Sequence, residues 1–178
     1  MPEIATATPA MTMSAIASPK QQFLDVYRKE TATTLRVIKA FPEGKDGFKP
    51  HDDCRTALQL AWNFVIEQRL SLAAVNGTLT MPPHFPPPPD SFDEVLAAYE
   101  RDVRELDAAV SAAPDTRLNE PVTFFTGPKQ MGQMAVMEML WFTLMDMVHH
   151  RGQFSVYLRM CGGKVPSIYG PSKDEPWM

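Results

Sequence analysis

A long amphipathic segment near the C-terminus constrains the fold of this chain more than any other feature. From Met131 to Gly170 the sequence is rich in apolar residues, carries HHRGQ (His149–Gln153), and ends in CGGKVPSIYGPS. The apolar residues recur at helical spacing, at Met134, Met137, Trp141, Leu144, Met145 and Val148. This periodicity predicts one amphipathic helix over the segment, ended by Gly162 and Gly163.

Two polar residues of this predicted helix lie on the same face. At about 100° per residue, Asp146 falls about 40° from His150 on the helical wheel. The two residues are one turn apart, so their Cβ atoms should be roughly 6 Å from each other. A helix offers two ligands to one metal ion with this geometry.

Composition limits the class of protein. The chain has 178 residues, of which 44% are hydrophobic and 21% charged, which is ordinary for one globular domain. A net charge of −4 without a basic run argues against nucleic-acid binding, and no apolar stretch is long enough for a membrane span. Residues 1–17 lack the features of a signal peptide and are predicted to be a flexible lead before a single domain at 18–178. Cys54 and Cys161 are far apart and form no CxxC pair, which predicts free thiols and a cytoplasmic location.

Helix start and stop signals divide the domain into four long helices. The signals are Ser18-Pro19 and Ala40 for the first helix, Asp52–Thr56 and Asn76-Gly77 for the second, and the capping box Ser91–Glu94 and Ala112 for the third, with the segment above as the fourth. Pro114–Lys129 is expected to be irregular, with a short extended piece at Pro121–Phe125. Four amphipathic helices predict an all-α fold, an antiparallel four-helix bundle.

Two segments of the chain resemble one protein family. HHRGQFSVYLRMCGGKVPSIYGPS looks like the last helix and tail of the DinB/YfiT-like proteins, and KPHDDCRTALQLAWNFVIEQ resembles their KPH…R(S/T)…ELAWHIV-type second helix. The resemblance covers about Phe23–Pro171. It implies a four-helix bundle, often homodimeric, with a metal site of three histidines inside one end. Members with a known activity are S-transferases that use mycothiol, bacillithiol or glutathione, and many others have no assigned role.

Carried over residue by residue, the resemblance implies an altered metal site. The later histidine of the last helix corresponds to His150, the earlier one to Asp146, and the second-helix histidine to Asn63. We therefore predict Asn63, Asp146 and His150 as metal ligands, and Glu67, one turn beyond Asn63, can face the same space.

The pocket around these residues has further candidates. Gln153 and Tyr157 flank the His150 face of the helix and are predicted to contact a cofactor at the mouth of the pocket.

Two functions remain open at this stage. The first is a metal-dependent S-transferase with a divalent Zn, Ni, Fe or Mn ion and a low-molecular-weight thiol. The second is a non-catalytic small-molecule-binding or stress-response accessory protein that has lost the metal, in which Asp146, His150 and Asn63 form a structural hydrogen-bond network. In both cases we expect a homodimer with a small-molecule ligand and neither a nucleic-acid nor a membrane partner.

Overall fold

The computed structural model describes residues 17–178, so nearly all of the predicted N-terminal lead lies outside the described residues. The described part of the chain is mostly helical, with five helices and one two-stranded sheet. In chain order the elements are α1 (Pro19–Lys39), α2 (Ala57–Asn76), α3 (Phe92–Ala112), α4 (Asp115–Leu118), β1 (Pro121–Gly127), β2 (Gln130–Ala135) and α5 (Val136–Met160). None of the helices between residues 17 and 178 is both long and apolar enough to cross a membrane.

Side-chain caps fix the ends of the long helices. Ser18 accepts a hydrogen bond from the backbone of the first turn of α1, and Ser91 does the same for α3. Thr56 and Gln59 form a reciprocal capping box at the start of α2. Gly77 ends α2 in the left-handed conformation, with a φ of 72°. The predicted caps at Ser18 and Ser91 and the glycine end of the second helix are confirmed. The capping box predicted for the third helix is only half formed, because the Glu94 carboxylate accepts from the Asp90 N–H instead of the Ser91 N–H.

Four long helices share one apolar core. The helix α2 packs against α3 and α5, and α1 packs against the same two helices. Phe154 of α5 lies at the centre of an aromatic cluster, with ring centroids 5.0 Å from Phe41 and 5.8 Å from Phe64. This packing stabilises the contact between α2 and α5, which carry the candidate site residues.

A β-hairpin makes the all-α prediction incomplete. The strands β1 and β2 pair antiparallel, so the extended piece predicted at Pro121–Phe125 is confirmed. The prediction of helix from Met131 is wrong for residues 131–135, because their backbone groups pair with β1 instead. The helix α5 begins after them, where the Glu138 carboxylate accepts a hydrogen bond from the Ala135 N–H at 2.8 Å.

A buried arginine fastens the C-terminal tail. The Arg151 side chain of α5 is 1% exposed, and its guanidinium donates to the Glu30 carboxylate at 2.6 Å and to the Tyr169 hydroxyl at 2.8 Å. The Tyr169 hydroxyl donates in turn to Glu30 at 2.8 Å. The ion pair of Arg151 with Glu30, together with Tyr169, therefore joins α1, α5 and the tail.

Loss of the carboxylate in this pair should destabilise the fold. We expect Glu30→Ala to lower the free energy of unfolding by about 3 kcal/mol, because Arg151 is left buried without its partner. Urea unfolding followed by circular dichroism measures this change. Glu105→Ala is the control: it removes an exposed partner of Arg101 3.9 Å away and should change stability by no more than about 0.5 kcal/mol. Equal losses in the two variants would contradict the structural role of Glu30.

Candidate metal centre

Glu67, Asp146 and His150 converge between α2 and α5. One ligand atom from each lies within 4.8 Å of the other two. The Nδ1 atom of His150 is 2.7 Å from Oε1 of Glu67 and 3.7 Å from Oδ2 of Asp146. Their side chains are 5%, 43% and 18% exposed, respectively, so the group extends from the buried Glu67 to Asp146 near solvent.

The helices account for this convergence in two ways. Asp146 and His150 are one turn apart on α5, and the structure brings them together as the helical spacing predicts. Glu67 comes from α2, 83 positions away from His150 in the chain. Its place in the group depends on the packing of α2 against α5, which local sequence does not reveal.

Two buried polar atoms of α2 lack hydrogen-bond partners among the described residues. They are Oε2 of Glu67 and Nδ2 of Asn63. Leaving such an atom unpaired costs about 1–3 kcal/mol, so buried polar atoms nearly always have a partner. A cation or water beside Glu67 supplies the missing partner. A half-turn of the Asn63 amide exchanges nitrogen for oxygen, so this position can present either a donor or a metal ligand.

Burial shapes the electrostatics of the group. It raises the pKa of the Glu67 carboxyl well above its usual range, and the neighbouring Asp146 carboxylate raises it further. Burial also lowers the pKa of His150, an effect that Asp146 opposes and the positive charge of Arg55 reinforces. Both shifts disfavour the charged forms of these two side chains when no cation is present. A divalent cation would compete with a proton for the Glu67 carboxylate.

His150 of this group also lines a cleft of about 520 Å³. The other walls of the cleft come from the segment that precedes α2, including Arg55, and from α5, including Gln153 and Tyr157. Both predicted cofactor contacts therefore line it. The Gln153 amide also bonds the ring of His149 at 2.8 Å, and the Tyr157 hydroxyl donates to the Arg55 carbonyl at 3.1 Å. The volume is within the range of small-molecule sites.

Sequence reasoning gave Glu67 a supporting place and did not single out Arg55. Glu67 was noted for its position one turn beyond Asn63, and its apolar neighbours in AWNFVIEQ are a further signal that its carboxylate is buried. In the structure Glu67 is 4% exposed, whereas Asn63 is half-buried. The role of Asn63 as a ligand stays a prediction.

Comparison with known proteins gives consistent matches over most of the chain. The model of the DinB family matches residues 11–177. The uncharacterized protein YrdA of Bacillus subtilis (strain 168) is 29% identical over 154 residues, which cover 86% of this chain and 89% of that protein.

Two crystal structures share the fold. A DinB-like protein from Bacillus cereus ATCC 10987 has 22% identity and a TM-score of 0.65, covering 83% of this chain and 95% of its own. The DinB-like protein YjoA from Bacillus subtilis has 12% identity and a TM-score of 0.65, covering 88% of this chain and 99% of its own.

The raised pKa of Glu67 predicts how stability depends on pH in the metal-free protein. An unfolded glutamate has a pKa of about 4.3. Because the folded-state pKa lies above this value, the stability from protonated Glu67 is full below it and is lost as the pH rises through the folded-state pKa. Glu67→Gln keeps a neutral side chain of the same shape. We therefore expect the parent to lose stability relative to Glu67→Gln as the pH rises above the unfolded-state value of about 4.3.

Urea unfolding in the presence of a chelator measures this difference. The comparison of parent with variant cancels the titration of groups that do not contact residue 67, whereas His150 and Asp146 titrate in a different environment in the variant. Parallel stability profiles across this pH range would show that burial does not hold a proton on Glu67.

Proposed function

Because this chain belongs to the DinB family, we propose that it is a metal-binding protein in which Glu67, Asp146 and His150 hold one divalent cation. The observation that carries the proposal is the approach of three ligand atoms to within 4.8 Å of one another, with the innermost carboxylate buried. The unpartnered Oε2 of Glu67 supports the fit. In this proposal Glu67 joins the predicted ligands Asp146 and His150, and Asn63 stays a predicted further ligand.

The donors indicate which ions fit. Two carboxylates cancel the charge of a divalent ion, and the imidazole of His150 adds a nitrogen donor. Carboxylate oxygens suit Mn(II), and imidazole suits Zn(II), Fe(II) and Ni(II), so the mixed set fits all four ions. Asn63, one turn before Glu67 on α2, is the residue that we expect to add an amide oxygen.

The cleft beside the cation supports an enzymatic function. We propose an S-transferase type of reaction, in which a small thiol lies in the cleft and Gln153 and Tyr157 orient it. A divalent cation supplies Lewis acidity and lowers the pKa of a thiol beside it. Glu67, Asp146 and His150 fix the position of that charge, and the apolar wall at Leu60 limits water on one side of the cleft.

A non-catalytic function is the second candidate. The 2.7 Å contact between His150 and Glu67 gives each side chain a partner without a metal. In that case the cleft alone acts, as a small-molecule-binding site of an accessory protein.

We further propose that the protein is a cytoplasmic homodimer built on an antiparallel four-helix bundle. Phe142, Met145 and Val156 are 49%, 53% and 56% exposed and form an apolar stripe on one face of α5. Gly152 lies in the same stripe, and nothing in the described structure lies within 4 Å of a Cβ placed there. Apolar residues at this spacing pack against the same stripe of a second copy. The free thiols of Cys54 and Cys161 support a reducing compartment.

Metal content tests the main proposal. We expect the parent, purified without an affinity tag and dialysed against Mn(II), Fe(II) or Zn(II) in turn, to retain about one equivalent of at least one of these ions. His150→Ala and Glu67→Gln should each lose it, because each removes a donor. Outer-shell changes alone cost about 10- to 100-fold in affinity, so loss of a direct ligand should be at least as large.

His149→Ala is the matched control, since this exposed neighbouring histidine is not part of the group. It should retain metal like the parent. A parent free of all three ions, and of Ni(II) in a parallel dialysis, would eliminate the metal-binding function and leave the accessory function.

The α5 stripe predicts the assembly state. We expect the parent to have the mass of a dimer in size-exclusion chromatography with light scattering, and Phe142→Glu with Met145→Glu to be monomeric, because charges replace apolar contacts. Phe85→Glu changes an exposed phenylalanine of the proline-rich loop and should remain dimeric. A monomeric parent, or a dimeric double variant, would contradict this interface.

A further inference from the structure

Arg55 is one of two arginines without an ion pair in the described part of the chain. The other is Arg104, on α3, and the remaining arginines each have a carboxylate partner. The Arg55 side chain is exposed and lines the cleft together with His150. An unpaired guanidinium beside a candidate reactive centre is available to a ligand.

The backbone of Arg55 is held in place although its side chain is free. Its carbonyl accepts a hydrogen bond from the Tyr157 hydroxyl at 3.1 Å, and the Tyr157 ring packs edge-on against Phe48, with centroids 5.8 Å apart. The next residue, Thr56, is the N-cap of α2. Tyr157 lies seven residues after His150 and so faces the same side of α5. These contacts fix the start of the Arg55 side chain relative to His150.

The charges around the cleft favour an anionic ligand. If a divalent cation is bound, Glu67 and Asp146 neutralise it, and the positive charge of Arg55 stays unbalanced. Of the nearby acidic residues, Asp52 pairs with Lys49 at 3.4 Å, and neither Asp52 nor Asp53 forms an ion pair with Arg55 in the described part of the chain. A single guanidinium matches one planar carboxylate, with which it forms two parallel hydrogen bonds.

Between the guanidinium and His150 the cleft is partly apolar. Leu60, Val156 and the Tyr157 ring contribute to its walls. A ligand that spans the cleft therefore needs a short apolar linker between its two polar ends.

We propose that Arg55 recognises the carboxylate of a small organic acid that lies in this cleft with its other end toward His150. The proposal deepens the proposed function and rests on it for the role of that other end. Arg55 thus selects ligands by charge, whereas Glu67, Asp146 and His150 hold the cation.

A matched pair of probes isolates the carboxylate. The probes are 3-mercaptopropionate and its methyl ester, which share the thiol and the linker and differ in the negative charge. Isothermal titration calorimetry measures their binding to the parent, Arg55→Gln and Arg104→Gln, each with Zn(II) added and each with a chelator. Arg104→Gln is the control, because it removes an exposed unpaired arginine far along the chain on α3.

We expect the parent to bind the carboxylate at least about ten-fold more tightly than the ester, since only the carboxylate forms charge-assisted hydrogen bonds with the guanidinium. In Arg55→Gln this preference should shrink to about two-fold or less, while Arg104→Gln keeps it. A preference that survives in Arg55→Gln, an ester that binds the parent as tightly as the acid, or no binding of either probe at millimolar concentration would each overturn the proposal.

The metal arm separates this proposal from the metal-binding function. If the preference depends on Arg55 in chelator but Zn(II) does not bind, the metal-binding function fails and the recognition by Arg55 stands. If Zn(II) binds and the preference does not depend on Arg55, the reverse holds.

Discussion

A carboxylate buried against a histidine between two helices is the constraint on which the candidate site depends. Glu67 is 4% exposed, and its Oε1 atom is 2.7 Å from the His150 ring. A negative charge at this depth is unfavourable unless a proton or a cation accompanies it. Asp146 adds a second carboxylate to the same space, which strengthens that requirement. The group of Glu67, Asp146 and His150 therefore favours the binding of a proton or a cation.

Neighbouring residues of α5 contact different helices and together keep this geometry. His150 faces α2 and meets Glu67, whereas Arg151, about 100° around the helix, faces α1 and meets Glu30. Phe154, one turn later, packs against aromatic residues of the core. One short segment of α5 thus carries both a candidate metal ligand, His150, and residues that stabilise the fold, Arg151 and Phe154. Their packing keeps α2 and α5 close enough for Glu67 to contact His150.

The features that could be predicted from the sequence are those that depend on helical periodicity and on cap residues. Helical spacing placed Asp146 and His150 together, and cap residues located the starts of α1 and α3. It was wrong about helix for residues 131–135, because strand pairing with β1 outweighs an apolar pattern there. The positions of Glu67 and Arg55 depend on tertiary packing. Glu67 contacts His150, which is 83 positions away in the chain, and the backbone carbonyl of Arg55 is held by the Tyr157 hydroxyl. Neither contact has a local signature.

The measurement that we would make first is a set of anomalous difference maps from crystals of the protein soaked in turn in Mn(II), Fe(II), Ni(II) and Zn(II), each collected above and below the absorption edge of the soaked ion. For at least one ion we expect one strong peak present only above the edge, within about 2.0–2.3 Å of oxygen or nitrogen atoms of Glu67, Asp146 and His150. Maps without a peak at these three side chains for any of the ions, or with the strongest peak elsewhere on the protein, would contradict the metal centre.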